Sequence, residues 1–338
     1  MMGTILHILI GILPVGTFLG ALVLLDSYKL VKLQDVLLAI ATGCLAAYVA
    51  MMLSTVISDR FGFDERMYSR FGAPVLEETL KASFIVYLLA RKRVGFMVDG
   101  AIYGFAIGTG FAFVENVYYV QHVTGATPGL WVIRGFGTAL MHGGTTAIVG
   151  IIAKSSQERR TSLVLAGVLP GILLAFLIHA FFNQFYLSPL VSTLLMLAGL
   201  PVVMYLVFER SSRSVERWLG VGFDTDRELL EMITTGHLAE TKVGLYLQSL
   251  QSRFLGQVVA DMLCYLRVRV ELSIKAKGML LLREAGFTIE PDPDVQASFD
   301  ELRYLEKSIG KTGLLALRPF VPGGTQDLWQ LYLLQSQG

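Results

Sequence analysis

Apolar residues in this chain run in long blocks separated by short polar connections. Seven blocks are long enough to cross about 30 Å of hydrocarbon as helices. They fall near residues 4–25, 36–58, 72–90, 95–120, 130–153, 161–185 and 188–208. The pattern predicts an all-α, polytopic membrane helix bundle of about seven or eight spans. The third block has the weakest hydropathy because it contains Glu77, Glu78 and Lys81. A short link around Tyr186 to Pro189 makes the last two blocks a helical hairpin. Pro74 falls in the first turn of its helix, where a missing N–H costs little. Pro170 and Gly171 fall mid-span, where a kink is tolerated in a bundle. The first 25 residues lack a charged leader and a clear small-residue cleavage site, so they are expected to remain as the first span.

Past residue 208 the pattern changes. Residues 209–338 read as a soluble, mostly helical domain, with helical periodicity near 224–234, 238–273 (with a break at Gly256), 275–285 and 295–309. Gly286 marks a helix end, and Pro291 with Pro293 marks a loop. The chain is thus expected to divide into a membrane domain, 1–208, and a tail, 209–338. Composition agrees with this division. The whole chain is 54% hydrophobic and 16% charged, against about 25% charge in a soluble domain. The first 208 residues hold 13 basic and 10 acidic residues, and the tail holds 15 and 17. A net charge of +1 argues against bulk nucleic-acid binding. Cys44 and Cys264 fall one in each part and form no redox or zinc-knuckle motif. Arg267, Arg269, Lys275 and Lys277 form either a basic patch at the membrane or an ordinary solvated helix face.

Loop charge orients the chain. One set of alternate connections carries Lys29 and Lys32, then Arg91, Lys92 and Arg93, then Lys154, Arg159 and Arg160, with Arg210, Arg213 and Arg217 after the last span. On the opposite side, Arg60, Arg66 and Arg70 are offset by Asp59, Asp64 and Glu65. The positive side is cytoplasmic, so the N-terminus is expected outside and the tail inside.

Ionisable residues inside apolar spans are costly unless paired, hydrogen-bonded or metal-bound. Four consecutive spans carry them: Glu77, Glu78 and Lys81; Glu115 and Asn116; His142; His179 and Asn183. At 1.5 Å per residue, each set lies roughly 10–12 Å from the outer end of its helix. One shared polar layer in the outer half of the bilayer is therefore expected. Glu77 and Glu78 point about 100° apart on a helix, so each meets a different partner. One can act as general base on a water while the other orients it, binds a metal or pairs with Lys81. The plainer alternative is a buried Glu–Lys pair that fixes helix packing. Glu115, His142 and His179 with a water would make a zinc site open at its fourth position. A metal-free arrangement also works, with a glutamate as base and His and Asn stabilising the oxyanion. Asn183, at i+4 from His179, suits an oxyanion or ligand-orienting role. Gly100, Gly104 and Gly108 allow close helix approach. Gly143 and Gly144 either do the same or leave room for a substrate backbone.

With these motifs in view, the chain resembles the PrsW family of intramembrane proteases, related to the CAAX-prenyl-protease and bacteriocin-processing membrane enzymes. The matching motifs are Glu77-Glu78-x-x-Lys81, Phe111-Ala112-x-x-Glu115-Asn116, His142 and His179-x-x-x-Asn183. The prenyl-protease group usually has His where this chain has Glu115, which favours the PrsW branch. The resemblance implies a membrane endopeptidase of a prokaryotic plasma membrane. Its substrates would be membrane-tethered or single-span proteins such as anti-sigma factors, cut on the extracytoplasmic side. By position, Glu77 and Glu78 correspond to the catalytic carboxylates and His179 to an essential residue. The resemblance leaves both the metal-dependent and metal-free mechanisms open. It reaches the tail poorly, where a cytoplasmic regulator or self-association is the expected partner. Two other classes compete. A proton- or ion-coupled transporter would spread its polar residues through the membrane depth. A signalling scaffold would leave the buried polar residues without a task.

Overall fold

The structure is a computed structural model that describes residues 2–26, 28, 30–123, 125, 127–159, 164–287, 292–321, 329 and 334. Lys29 and Arg160, used above to orient the chain, and Pro291 lie outside the described residues. The helices are α1 (Met2–Leu25), α2 (Leu33–Phe61), the single turn α3 (Glu65–Met67), α4 (Ala73–Ala90), α5 (Met97–His122) and α6 (Pro128–Ile133). They continue with α7 (Ala139–Arg159), α8 (Val164–Asn183), α9 (Pro189–Thr235), α10 (Lys242–Leu250), α11 (Gly256–Glu284) and α12 (Pro293–Leu317). Two π-helical turns, Tyr68–Gly72 and Arg134–Thr138, run directly into α4 and α7.

The all-α expectation holds, and the chain is a multi-pass membrane protein. Among the described residues, six helical stretches are long and apolar enough to cross a membrane: Leu6–Leu25, Leu33–Phe61, Met97–His122, Pro128–Glu158, Ala166–Asn183 and Pro189–Thr235. The expected count was seven or eight. The shortfall from seven is α4, which has 18 residues but carries Glu77, Glu78 and Lys81. Local signals set several boundaries. Gly62, at φ 59°, closes α2 by donating its N–H to the Ser58 carbonyl. Asp64 caps α3 by accepting from Met67 N at 2.9 Å. Asp99 Oδ2 accepts from Gly95 N at 2.7 Å and Phe96 N at 3.1 Å, fixing the entry to α5. Pro170 lies inside α8 without ending it.

Two compact units divide the chain, Met1–Ser212 and Arg213–Gly338. In the first, α5 is central: every residue from Met97 to Ala112 is buried. It can be buried this fully because glycine removes the side chains that would hold its neighbours off. A Cβ at Gly100, Gly104 or Gly108 would lie 2.7, 2.3 or 2.2 Å from the carbonyl oxygens of Gly150, Thr146 and His142 on α7. A Cβ at Gly110 would lie 2.0 Å from the Ile40 carbonyl of α2. Small residues thus let three backbones touch, the usual source of packing energy where lipid offers no hydrophobic drive. Gly143 and Gly144 are also packing positions, against Phe105 and Leu200. Leu13, Leu45, Val56, Leu173, Leu190 and Tyr205 are exposed on the outer helices, a surface suited to hydrocarbon.

The helix that begins at Pro189 does not stop near 208. The segment 224–234, expected as a separate helix, is its C-terminal part. Hydropathy shows where a helix leaves the bilayer, but nothing in the sequence there breaks it. The expected 238–273 helix is a 3-10 turn, then α10, then α11 from Gly256, and α11 runs unbroken to Glu284. In the second unit Asp226 Oδ2 accepts from Lys277 Nζ at 2.6 Å and from Ser273 Oγ, all three buried. Lys277 also lies 5.1 Å from the Trp218 ring centre. Lys275 pairs with Asp292 at 2.7 Å and Arg267 with Glu301 at 3.2 Å. With Arg269 and Lys277 buried, these four cations form no exposed basic patch.

Candidate active site

Helix α4 carries the first motif into the bundle. Glu78 and Lys81 are one turn apart, and Lys81 Nζ donates to Glu78 Oε1 at 2.6 Å, both side chains fully buried. The same carboxylate oxygen accepts from His179 Nδ1 of α8 at 2.7 Å and from Thr145 Oγ1 of α7 at 3.4 Å. One glutamate therefore ties three helices together. Lys81 Nζ also reaches His142 Nδ1 of α7 at 3.2 Å and lies 4.9 Å from the Phe111 ring centre. On its other side, His142 Nε2 meets Glu115 Oε2 of α5 at 2.9 Å. Glu77 projects from the next position on α4, with Oε2 3.8 Å from His179 Nε2.

Donor and acceptor chemistry assigns the tautomers of the neutral rings. An ammonium only donates, so His142 Nδ1 accepts from Lys81 and Nε2–H donates to Glu115. An ionised carboxylate only accepts, so His179 donates Nδ1–H to Glu78 and its Nε2 lone pair is left on the side of Glu77. The Glu78–Lys81 pair neutralises two charges that could not stand alone in this setting.

Two oxygens do not fit a self-contained network. Glu77 Oε2 and Glu78 Oε2 are buried with no hydrogen-bond partner. Buried polar atoms are nearly always satisfied, so an orphan of this kind points to a ligand. One ligand atom each from Glu77, His142 and His179 lies within 4.8 Å of the others. Two histidines and a carboxylate are a donor set for a catalytic zinc that keeps an open fourth position. Ligands about 2.1 Å from a tetrahedral zinc stand about 3.4 Å apart, so small side-chain movements would close the set. Glu78 holding the non-ligating nitrogen of His179 is the carboxylate–histidine support seen around such metals. The residue types fit a metal, for which His142 would exchange one of its two contacts, to Lys81 or to Glu115.

Most residues expected at the site from sequence meet here. Glu78, Lys81, Glu115, His142 and His179 form one hydrogen-bonded network, with Glu77 beside His179. The third member of the clustered ligand atoms is Glu77, where the sequence suggested Glu115. Glu115 is engaged by His142 and by the Arg134 guanidinium, 3.3 Å from its Oε2. Asn183 donates to the Ser69 carbonyl at 3.1 Å and so ties the end of α8 to the π-helical turn before α4. Arg134 and Thr145 are members that sequence reasoning did not assign. Arg134 carries a usable signal, an arginine inside an otherwise uncharged apolar block. Thr145 carries none.

One protein-family model, described as PrsW family intramembrane metalloprotease, matches residues 32–208. No curated protein and no solved structure matches the chain.

Proposed function

The chain belongs to the PrsW family of intramembrane metalloproteases, and from that premise we propose that it cleaves single-span or membrane-tethered proteins, of the anti-sigma-factor kind, near the extracytoplasmic face of a prokaryotic plasma membrane. The observation that carries the site is the cluster of Glu77, His142 and His179 ligand atoms. Residues 1–208 serve as the transmembrane protease domain, with α4 as a seventh span, and residues 209–338 as a cytoplasmic helical domain. Support comes from Lys32, Arg91, Lys92, Arg93 and Lys154, which fall on one set of connections with Arg210, Arg213 and Arg217 beyond the last span. That orientation puts the N-terminus outside, and with it the ends of α4 and α7 that carry the site. An ion-coupled transporter explains neither the family membership nor a ligand set confined to one layer.

In the proposed mechanism Glu77, His142 and His179 would hold zinc. A bound zinc supplies a Lewis acid for the scissile carbonyl and lowers the pKa of a water. Glu78 holds His179 by its Nδ1–H, and Lys81 holds Glu78 in place. Glu115 is open to solvent at 22% of its side chain, against none for Glu78. The His142 and Arg134 contacts both fall on its Oε2. Its second oxygen takes the proton of the attacking water and returns it to the leaving amine. Burial of Glu78 and Lys81 under α5, α7 and α8 keeps bulk water from the far side of the site.

The test is cleavage of a single-span substrate in proteoliposomes, with the cut position mapped by mass spectrometry. A zinc chelator should abolish cleavage and added zinc should restore it, with the cut near the extracytoplasmic end of the substrate span. Cleavage that survives both Glu77→Ala and His179→Ala would refute the assignment.

A further inference from the structure

Arg134 enters the bundle from the π-helical turn that precedes α7 and is 9% exposed. A buried guanidinium is costly unless its donors are met. Two parts of this one are held. Nε donates to Asn116 Oδ1 at 2.8 Å. Asn116 is itself fixed, because its Nδ2 donates to the Gly11 carbonyl of α1 at 2.8 Å. The guanidinium carbon lies 3.8 Å from the Tyr119 ring centre. One bonded edge and one stacked face fix the plane of the group, and with it the direction of its terminal nitrogens.

The third part is not met. Nη2 lies 3.3 Å from Glu115 Oε2, close enough for charge attraction. Its N–H bonds nevertheless point elsewhere: Nη2 is buried and has no hydrogen-bond partner among the described residues. Glu115 Oε2 takes its hydrogen bond from His142 Nε2 instead, at 2.9 Å. A charged donor that is fixed in direction, buried and unsatisfied is set for an acceptor that arrives with a ligand. Its place tells which acceptor. Glu115 is 22% open to solvent and is the base proposed above, so water and the scissile bond come to this carboxylate. A peptide unwound for cleavage inside a bilayer has lost the helical partner of its carbonyl and finds little water to replace it.

We infer that Arg134 is a catalytic residue, whose Nη2 donates to the scissile carbonyl oxygen and stabilises the charge that gathers there during attack. As the water oxygen bonds to the carbonyl carbon, the carbonyl π pair moves onto oxygen and the water proton goes to Glu115. The new anion then meets a donor already in position, which is the source of its catalytic value. This role rests on the peptidase reading above and on none of the proposed metal ligands.

The experiment compares wild type, Arg134→Met and Arg134→Lys as full chains in proteoliposomes with a single-span substrate. It reads kcat, KM as substrate per lipid, and inhibition by a peptide carrying a phosphinate, a tetrahedral anion, in place of the mapped scissile bond. Loss of one such donor typically lowers kcat about 100- to 1000-fold. Arg134→Met is expected to lose that much with KM little changed, and to bind the phosphinate more weakly by a similar factor. Arg134→Lys keeps the charge without the fork, and its kcat is expected to fall between wild type and Arg134→Met. If Arg134→Met does not give a monodisperse protein, Arg134→Lys carries the same comparison. A purely structural role would lower kcat without selectively weakening the phosphinate, and a role limited to balancing the charge of Glu115 would leave Arg134→Lys at the wild-type kcat. Either result, or an unchanged kcat in folded Arg134→Met, overturns the inference while the peptidase stands. A wild-type chain that cleaves no substrate overturns the peptidase reading itself, and this inference with it.

Discussion

Glu78 on α4 and His179 on α8, 101 residues apart in sequence, are joined by a 2.7 Å hydrogen bond between Oε1 and Nδ1 in a fully buried setting. The bond leaves His179 Nε2 with its lone pair on the Glu77 side. Glu78→Gln keeps the size and one acceptor oxygen but loses the charge that Lys81 needs. It is expected to lower zinc affinity by about 10- to 100-fold, read by chelator competition. Cleavage should fall at least in parallel.

Lys81 is the counter-ion of that glutamate and has no water to fall back on. Lys81→Met strands a buried carboxylate, which typically costs about 3–5 kcal/mol. The Glu78→Gln/Lys81→Met double variant removes both charges and should recover much of that loss. Thermal unfolding in detergent, followed by helical circular dichroism, checks the order: wild type, double variant, Lys81→Met.

Gly108 sits where α5 crosses α7 beside His142. A Cβ there would lie 2.2 Å from the His142 carbonyl oxygen, a backbone atom that cannot rotate away. Gly108→Ala must therefore push α7 aside and move His142 with it. Overpacking of this kind costs about 1–3 kcal/mol. The expected result is a lower unfolding temperature together with weaker zinc binding. Gly16→Ala, on α1 where nothing lies within 4 Å of the added carbon, should change neither.

In the second unit Asp226 holds Lys277 at 2.6 Å while both are nearly closed to solvent. Lys277→Met leaves Asp226 with Ser273 as its remaining described partner and should destabilise this unit by about 3–5 kcal/mol. Limited proteolysis checks it: residues 213–338 should become susceptible at a lower temperature than in wild type.

The site was legible in the sequence to the extent that its members were too costly to be anything but partners. Glu77, Glu78, Lys81, Glu115, His142 and His179 stood out as ionisable groups in apolar blocks, and helix rise put them at one depth. Which atom meets which was not legible. Glu115 and Glu77 are equally plausible ligands from spacing, and only the approach of α5 to α7, set by Gly104 and Gly108, turns Glu115 toward His142 and Arg134. The π-helical turns that aim α4 and α7 have no sequence signature, so Arg134 could be seen as unusual but not placed. Along the rest of the chain, the apolar blocks coincide with the six stretches that are long and apolar enough to span among the described residues, and with α4, whose three charged residues set it apart from them. Hydropathy could not show that α9 continues to Thr235, because leaving the bilayer does not end a helix.

Zinc content of the purified, metal-loaded chain, measured by mass spectrometry after exhaustive dialysis, tests the central claim most directly. About one zinc per chain is expected in wild type. It should be lost from Glu77→Ala, His142→Ala and His179→Ala, and retained in Asn183→Ala. Zinc that stays in Glu77→Ala and His179→Ala alike would contradict the account.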